Sequence, residues 1–277
     1  MGDLQMRWPF PKSTGLTVSF SAICDSGLIR NDNQDNIYCD GVFRGDISVH
    51  LPFRRCGITH ADALFAVADG MGGEANGAQA SWEVVKSLDE IEKTGGASAV
   101  TSHLLKVNET ICDMISRDGG RRMGSTFAGV LLQGTQAHIV NIGDSRIYLF
   151  RDRQLTQQSI DDTIVRPMVE MGIMTPEVAR THPHRHQLSQ HLGVFPDEMV
   201  IEPHEKTIQI RDKDVFLLCS DGLTDMLTDA EISLSLQSEE SIDQAADILL
   251  SAALARGGAD NISILLVKSE GNYERKV

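Results

Sequence analysis

Five carboxylates stand where strand-like segments end or begin. "LFAVADG" closes on Asp69, "AHIVNIGDSR" on Asp144 and "VFLLCSDG" on Asp221, while Asp260 precedes "NISILLV" and Asp35 precedes "NIYCD". Taken alone, an aspartate at such a place reads as a turn or cap residue bonding its own backbone. The repetition weighs against that reading for the set. Twice the acid is followed by glycine, at Asp69-Gly70 and Asp221-Gly222. Glycine there lets the backbone bend sharply and brings a carbonyl close to whatever the aspartate binds. Carboxylates converging at sheet ends repel one another unless cations neutralise them. Oxygen ligands without His or Cys select hard ions, Mg²⁺ or Mn²⁺. Two such ions ~4 Å apart form a clamp for phosphoryl chemistry and lower the pKa of a shared water toward neutrality. Arg30, five residues before Asp35, is suited to a bidentate grip on a phosphate; a surface ion pair is the plainer reading of the same spacing.

The elements that must position these residues follow from periodicity. Short β-branched or apolar runs recur, among them "LTVSFSAI", "NIYCDG", "ADALFAVAD", "STFAGVLLQ", "QAHIVNIGD", "SRIYLFRDRQL", "VIEPHEKTIQI", "DVFLLCSD" and "NISILLVKS". Tight turns such as "LLQGTQAHI" and "FRDRQL" join several of them as antiparallel hairpins. "NGAQASWEVVKSLDEIEK" places Ala78, Trp82, Val85, Leu88 and Ile91 near helical period. "ASAVTSHLLKVNETICDMIS" follows a Gly-Gly break, and a later pair is "TDAEISLSL" with "SIDQAADILLSAALARGG". The last begins on Ser and ends on two glycines, the expected cap chemistry. Strands, two helices, strands, two helices, strand: the grouping predicts an α+β fold, two mainly antiparallel sheets stacked face to face with helix pairs outside, a four-layer αββα sandwich.

The composition narrows the partners. Of 277 residues 39 are acidic and 25 are Lys or Arg, a formal charge of −14, which disfavours nucleic-acid or membrane-surface binding. No apolar segment approaches the ~20 residues needed to span a bilayer, and "MGDLQMRWPFPKSTG" has no signal core. Cys24, Cys39, Cys56, Cys112 and Cys219 form no CxxC pair, which argues for reduced thiols in a cytoplasmic protein. Cys219 reads as a small core residue. Residues 1–13 read as a loose arm, 14–269 as one domain and 270–277 as a frayed tail. A monomer is the default.

At this point the chain resembles a family. "DSGLIRNDNQDNIY", "LFAVADGMGGEANG", "GSTFAGVLL", "VNIGDSRIYLF", "LTQQSIDDTIV", "MGIMTPEVARTHPHRHQLSQHLG", "LLCSDGLTDML" and "GGADNISILLV" follow in order. They look like the successive motifs of the metal-dependent Ser/Thr protein phosphatases of the PPM (2C) class, in compact bacterial form, from roughly Leu16 to Lys268. The resemblance implies a binuclear Mn²⁺ or Mg²⁺ centre in a cleft at one end of the sandwich. By motif position, Asp69 would bridge the two ions, Gly70 would offer its carbonyl, and Asp221 and Asp260 would complete the ligand set. Asp35 would orient metal-bound waters and Arg30 would hold the substrate phosphate. Asp144 matches a position that helps hold a third ion, with Asp161 of the flap (about 157–192) nearby. The implied reaction is direct hydrolysis of phosphoserine or phosphothreonine by metal-activated water. The implied partner is a phosphorylated protein in bacterial signalling, opposite a Ser/Thr kinase.

The chain departs from the motifs in places. Met71 stands where eukaryotic members carry a His proposed as general acid, which leaves the proton donor to a water. Glu74 stands where bacterial members often place His; a solvent-facing role is the plainer one. In the flap, Asp162 replaces His, and His186 and Gln190 replace Asn and Arg. His182, His184, His186 and His191 invite a zinc reading, but His-x-His-x-His fits no standard closed site. Two alternatives stay open: a pseudophosphatase acting as a binding module, and another two-metal phosphohydrolase such as a nuclease or nucleotidase. Intact metal aspartates weigh against the first, and charge and motif order against the second.

Overall fold

The structure is a computed structural model that describes residues 16–45, 52–60, 62–238 and 241–271. The predicted arm at 1–13 lies outside the described residues, as do residues 272–277 of the predicted tail. The first strands are β1 (Leu16–Asp25), β2 (Asp35–Cys39), β3 (Val42–Phe43), β4 (Phe53–His60) and β5 (Leu64–Met71). Helices α1 (Glu74–Ser87) and α2 (Gly96–Arg117) come next. Then follow β6 (Gly124–Ser125), β7 (Phe127–Gln133), β8 (Gln136–Ile142), β9 (Arg146–Arg151) and β10 (Gln154–Gln157). Short helices α3 (Arg166–Glu170) and α4 (Pro176–Arg180) precede β11 (His204–Gln209) and β12 (Val215–Cys219). The chain finishes with α5 (Asp221–Thr224), α6 (Asp229–Ser238), α7 (Ile242–Ala255) and β13 (Ile262–Gly271).

The strands form two sheets, in orders β10-β9-β12-β13-β1-β4 and β11-β8-β7-β5-β2-β3, with β6 beside β5. The pairings within both are antiparallel. The layer order follows from two-residue alternation along strands that are buried on both faces. In β5, Leu64, Ala66 and Ala68 pack with Val84, Leu104 and Ile111 of α1 and α2, while Phe65 and Val67 face Phe216, Leu218 and Leu265 of the other sheet. In β12, Leu217 and Cys219 turn the other way, onto Ile232 and Leu249 of α6 and α7. Three apolar layers therefore separate four tiers, the αββα arrangement expected from the grouping of elements. Each fully buried Leu, Val or Phe in these layers contributes roughly 1.5–3 kcal/mol.

The differences from expectation are local. Helical periodicity through Ile91 overruns α1, which stops at Ser87; Leu88–Glu90 makes one 3₁₀ turn and Ile91 is extended. Leu88 and Ile91 stay buried all the same, so the pattern marked burial rather than helix. Strand β4 carries no apolar run. It lies at a sheet edge beside β1, and Arg54, Arg55, Cys56 and Ile58 are exposed, so nothing in its sequence had to alternate. The predicted "FRDRQL" hairpin forms, with Asp152 and Arg153 both at positive φ. Ser241 caps α7 by accepting from the Asp243 N–H, and Gly257-Gly258 follow its end, as predicted.

Candidate active site

The ends of β5 and β2 in one sheet and of β12 and β13 in the other meet at one end of the sandwich. A cleft of about 290 Å³ opens there, lined by Arg30, Asp69, Gly70, Asp144, Asp221 and Asp260 among others. Segments as distant as residues 30 and 260 thus deliver Arg30 and four of the predicted acids to one place, while Asp35 and Asp161 are not among the lining residues.

Asp69 and Asp35 are cross-strand partners in the register of β2 against β5. Two carboxylates directly opposite each other are costly unless neutralised. Asp35 is buried; one oxygen, Oδ2, accepts from the Ser220 hydroxyl at 2.6 Å and the Ser263 hydroxyl at 2.8 Å. Its other oxygen, Oδ1, is buried with no hydrogen-bond partner among the described residues. Burial, opposed by the two serines, pushes the Asp35 carboxyl up to about 7. Burial also drives the Asp69 carboxyl well above its usual range, and Asp35, Asp221, Asp144 and Asp260 add to it. Asp144 shifts the same way, through burial and then Asp221 and Asp161.

The main chain around Asp69 is fixed from several sides. Its N–H donates to the Thr126 hydroxyl at 2.9 Å, and the Thr126 N–H returns a bond to the Asp69 carbonyl at 2.8 Å. Thr126 Oγ1 also meets Ser145 Oγ at 2.7 Å, which ties the end of β5 to the turn bearing Asp144. Gly70 corrects the reason first given for its type. It lies within the extended strand β5, not at a bend. A Cβ there would stand 2.0 Å from the Gly77 carbonyl oxygen, so glycine is required by the close approach of α1. Gly222 is the same case: its Cβ would meet the Asn261 carbonyl oxygen at 2.0 Å. The bend falls later, at Gly72 and Gly73, both at positive φ.

Arg30 sits on Asp260, with its guanidinium 2.8 Å from Oδ2. Both are substantially exposed, at 53% and 39%, so the pair is open to exchange. The Arg30 loop itself is held. Asn261 Nδ2 donates to the carbonyls of Ser26 and Asp32 at 3.0 and 2.8 Å, and Asn261 Oδ1 accepts from the Gln34 N–H at 2.8 Å. The Leu28 N–H reaches the Gly258 carbonyl at 2.8 Å.

The flap residues divide. Asp161 does not line the cleft; its carboxylate accepts three bonds from Arg146, the shortest 2.7 Å, and one from Gln157 at 2.6 Å. Asp162 and Gln190 belong together in a buried cluster. Asp162 Oδ2 accepts from the Gly143 N–H at 2.8 Å and from Gln190 Nε2 at 2.9 Å, and Oδ1 meets His204 Nε2 at 2.7 Å. The two departures from the motif are thus one matched pair, and they hold the glycine that precedes Asp144. His186 enters the cleft. Its Nδ1 lies 3.0 Å from Asp221 Oδ2 and its Nε2 3.0 Å from Asp225 Oδ2. Those two bonds raise its pKa to about 10. The other flap histidines do not join it: His182 and His184 face each other at 5.7 Å between ring centres, and His191 Nδ1 stays on the Leu192 carbonyl. Met71 lines the cleft; the Glu74 side chain lies outside what the structure describes.

The donor set fits hard divalent cations. It consists of carboxylate and carbonyl oxygens from four segments, with Arg30 and His186 as the cationic side chains on the cleft wall. Carboxyl groups driven upward by burial and by one another, and a buried Asp35 oxygen with no partner among the described residues, suit a centre that binds cations. Ser220, Ser263, Thr126 and Asn261 had no place among the sequence-predicted residues. Their signal was adjacency: Ser220 precedes Asp221, Asn261 follows Asp260, and Thr126 sits in "GSTFAG".

The chain is similar to known protein phosphatases in sequence and fold. The sequence profile described as "Protein phosphatase 2C" matches residues 54–256. Serine/threonine protein phosphatase PstP of Mycobacterium tuberculosis is 34% identical over 256 residues, covering 91% of this chain and 45% of that protein. The chain therefore spans about half the length of that relative. Serine/threonine phosphatase stp of Listeria monocytogenes is 31% identical over 255 residues, covering 89% of this chain and 94% of the relative. The solved catalytic domain of PstP in complex with two manganese ions superposes with a TM-score of 0.76 at 30% identity, covering 92% of this chain and 99% of that one.

Proposed function

The chain belongs to the protein phosphatase 2C family, and on that premise we propose that it hydrolyses phosphoserine and phosphothreonine in proteins by direct attack of water. The observation that carries this reading is the convergence of Asp69, Asp221 and Asp260 with Arg30 in one cleft. Asp69 and the Gly70 carbonyl would hold two divalent ions, Mn²⁺ or Mg²⁺, with Asp221 and Asp260 completing the set; Asp144 would hold a third with Asp221. When bound, these ions neutralise the carboxylates, polarise the phosphoryl oxygens and bring the pKa of water toward neutrality.

The remaining work falls to the chain's own residues. Ser220 and Ser263 fix Asp35 through Oδ2 and leave Oδ1 to orient water. Thr126 and Gln34 pin the Asp69-Gly70 backbone from both sides, so its carbonyl is aimed before substrate arrives. Arg30, free to leave Asp260, grips two equatorial phosphoryl oxygens and stabilises charge there as it develops. Met71 lines the cleft but has no proton to give the departing seryl oxygen, so that proton comes from water. A cytoplasmic monomer reversing a Ser/Thr kinase is the setting we infer. The net charge of −14 disfavours nucleic acid as the partner. Among the described residues no helix is long and apolar enough to cross a membrane.

The test is a substrate panel. Phosphate release from phosphoserine and phosphothreonine peptides should require Mn²⁺ or Mg²⁺ and stop with chelator. Metal-independent release, or a preference for nucleotides over phosphopeptides, would contradict the reading.

A further inference from the structure

The side of the cleft nearest the flap holds three side chains that the binuclear centre does not account for together. Asp144, His186 and Asp221 each place one ligand atom within 4.8 Å of the other two. Asp144 is only 9% exposed, its carboxylate lines the cleft, and among the described residues it takes no hydrogen bond from another side chain. A carboxylate this far buried, with a backbone N–H but no side chain to donate to it, is a costly arrangement when ionised unless a cation completes it.

The imidazole is oriented for that role. His186 Nε2 meets Asp225 Oδ2 at 3.0 Å, and Asp225 is itself approached by Arg185 at 3.4 Å. This leaves Nδ1 directed at Asp221, 3.0 Å away. A carboxylate on the far nitrogen is the usual outer partner of a metal-binding histidine: it fixes the ring and the tautomer.

We propose that His186 Nδ1, with Asp144 and Asp221, forms a mixed nitrogen–oxygen site for a first-row transition-metal dication, Mn²⁺ or Zn²⁺ in preference to Mg²⁺. An imidazole ligand favours first-row transition ions, Zn²⁺ more strongly than Mn²⁺, over Mg²⁺, which takes oxygen. Because His186 belongs to the flap and both aspartates to the sandwich, the cation joins the two. This rests on the reading of Asp144 as a ligand of a third ion and adds to it the identity of the third donor.

The experiment uses the full chain, wild type, His186→Asn and Asp144→Asn, titrated with Mn²⁺ alone. Calorimetry counts the ions, and pulsed electron paramagnetic resonance reads nitrogen coupled to Mn²⁺. Wild type should bind three ions, with one coupled to a single imidazole nitrogen. His186→Asn should lose that coupling and weaken the third ion by about tenfold or more, leaving the first two unchanged. Three ions without nitrogen coupling would overturn the role of His186 while the third-ion reading stood. Two ions in wild type and Asp144→Asn alike would overturn both. Partly exposed His186, at 41%, tolerates replacement, and Asp225→Asn gives a second check by reducing the coupling without touching a ligand.

Discussion

Stripped of divalent cations, the protein should lose stability as pH rises, and much of the loss should trace to Asp35. Burial moves this carboxyl from 3.8 to about 7. The unfolded chain ionises it near its ordinary value; the folded chain keeps the proton until about pH 7. The folded state thus binds more protons between those limits, so stability falls as pH rises through them and then levels. A shift of about three units amounts to about 4 kcal/mol, of which about 3 kcal/mol falls between pH 5 and pH 8. At roughly 2–4 °C per kcal/mol, Tm should drop by roughly 6–12 °C over that range. Asp69 and Asp144, also shifted upward by burial, steepen the fall. His186 acts in the same direction above pH 6.5, since its imidazolium is held by Asp221 and Asp225 until about 10. Glu231 and Asp225, shifted downward, act only below their ordinary values, while His103 and His138, lowered by burial, oppose the fall below pH 6.5. Urea unfolding in chelator across this range measures the slope. Asp35→Asn should flatten it and raise chelated stability at pH 8, and saturating Mn²⁺ should stabilise wild type by mass action. A chelated protein whose stability is level or rising from pH 5 to 8, or an Asp35→Asn variant with the slope intact, would refute the account of a buried, uncompensated acid.

Three further outcomes follow from the geometry. Asp221→Asn and Asp260→Asn should each abolish phosphopeptide hydrolysis while circular dichroism stays that of wild type; retained turnover would remove these residues from the metal set. Arg30→Ala should raise KM for a phosphopeptide roughly tenfold or more, the scale of one charge-assisted hydrogen bond; an unchanged KM would detach Arg30 from the phosphate. Asp162→Ala should destabilise the metal-loaded protein by about 1–3 kcal/mol, because the Gly143 N–H and the Gln190 amide lose their acceptor. Urea unfolding checks it, and a change near zero would mean that water replaces the carboxylate freely.

Much of this architecture is legible in the sequence because the sandwich buries most of its strands on both faces. "LFAVAD" and "VFLLCSD" had to be apolar throughout, so the acids closing them stood out against the run. Edge strand β4 left no such trace, since its exposed Arg54, Arg55 and Ile58 answer to no core. The reason for glycine after Asp69 was also hidden. It depends on the Gly77 carbonyl of α1, and no local pattern states how closely a helix will approach a strand. Asp162 and Gln190 read as two separate irregularities until the fold placed them 2.9 Å apart. His186 looked like one of four flap histidines. Only the tertiary path of the flap separates it from His182, His184 and His191 and sets it against Asp221.

The central claim is that Asp69, Asp221 and Asp260 converge to hold two divalent ions in front of Arg30. Anomalous diffraction from crystals grown with Mn²⁺ tests it most directly. Two strong manganese peaks bounded by Asp69, the Gly70 carbonyl, Asp221 and Asp260 are the predicted result. Well-ordered carboxylates with no manganese between them, or manganese bound only elsewhere on the molecule, would contradict it.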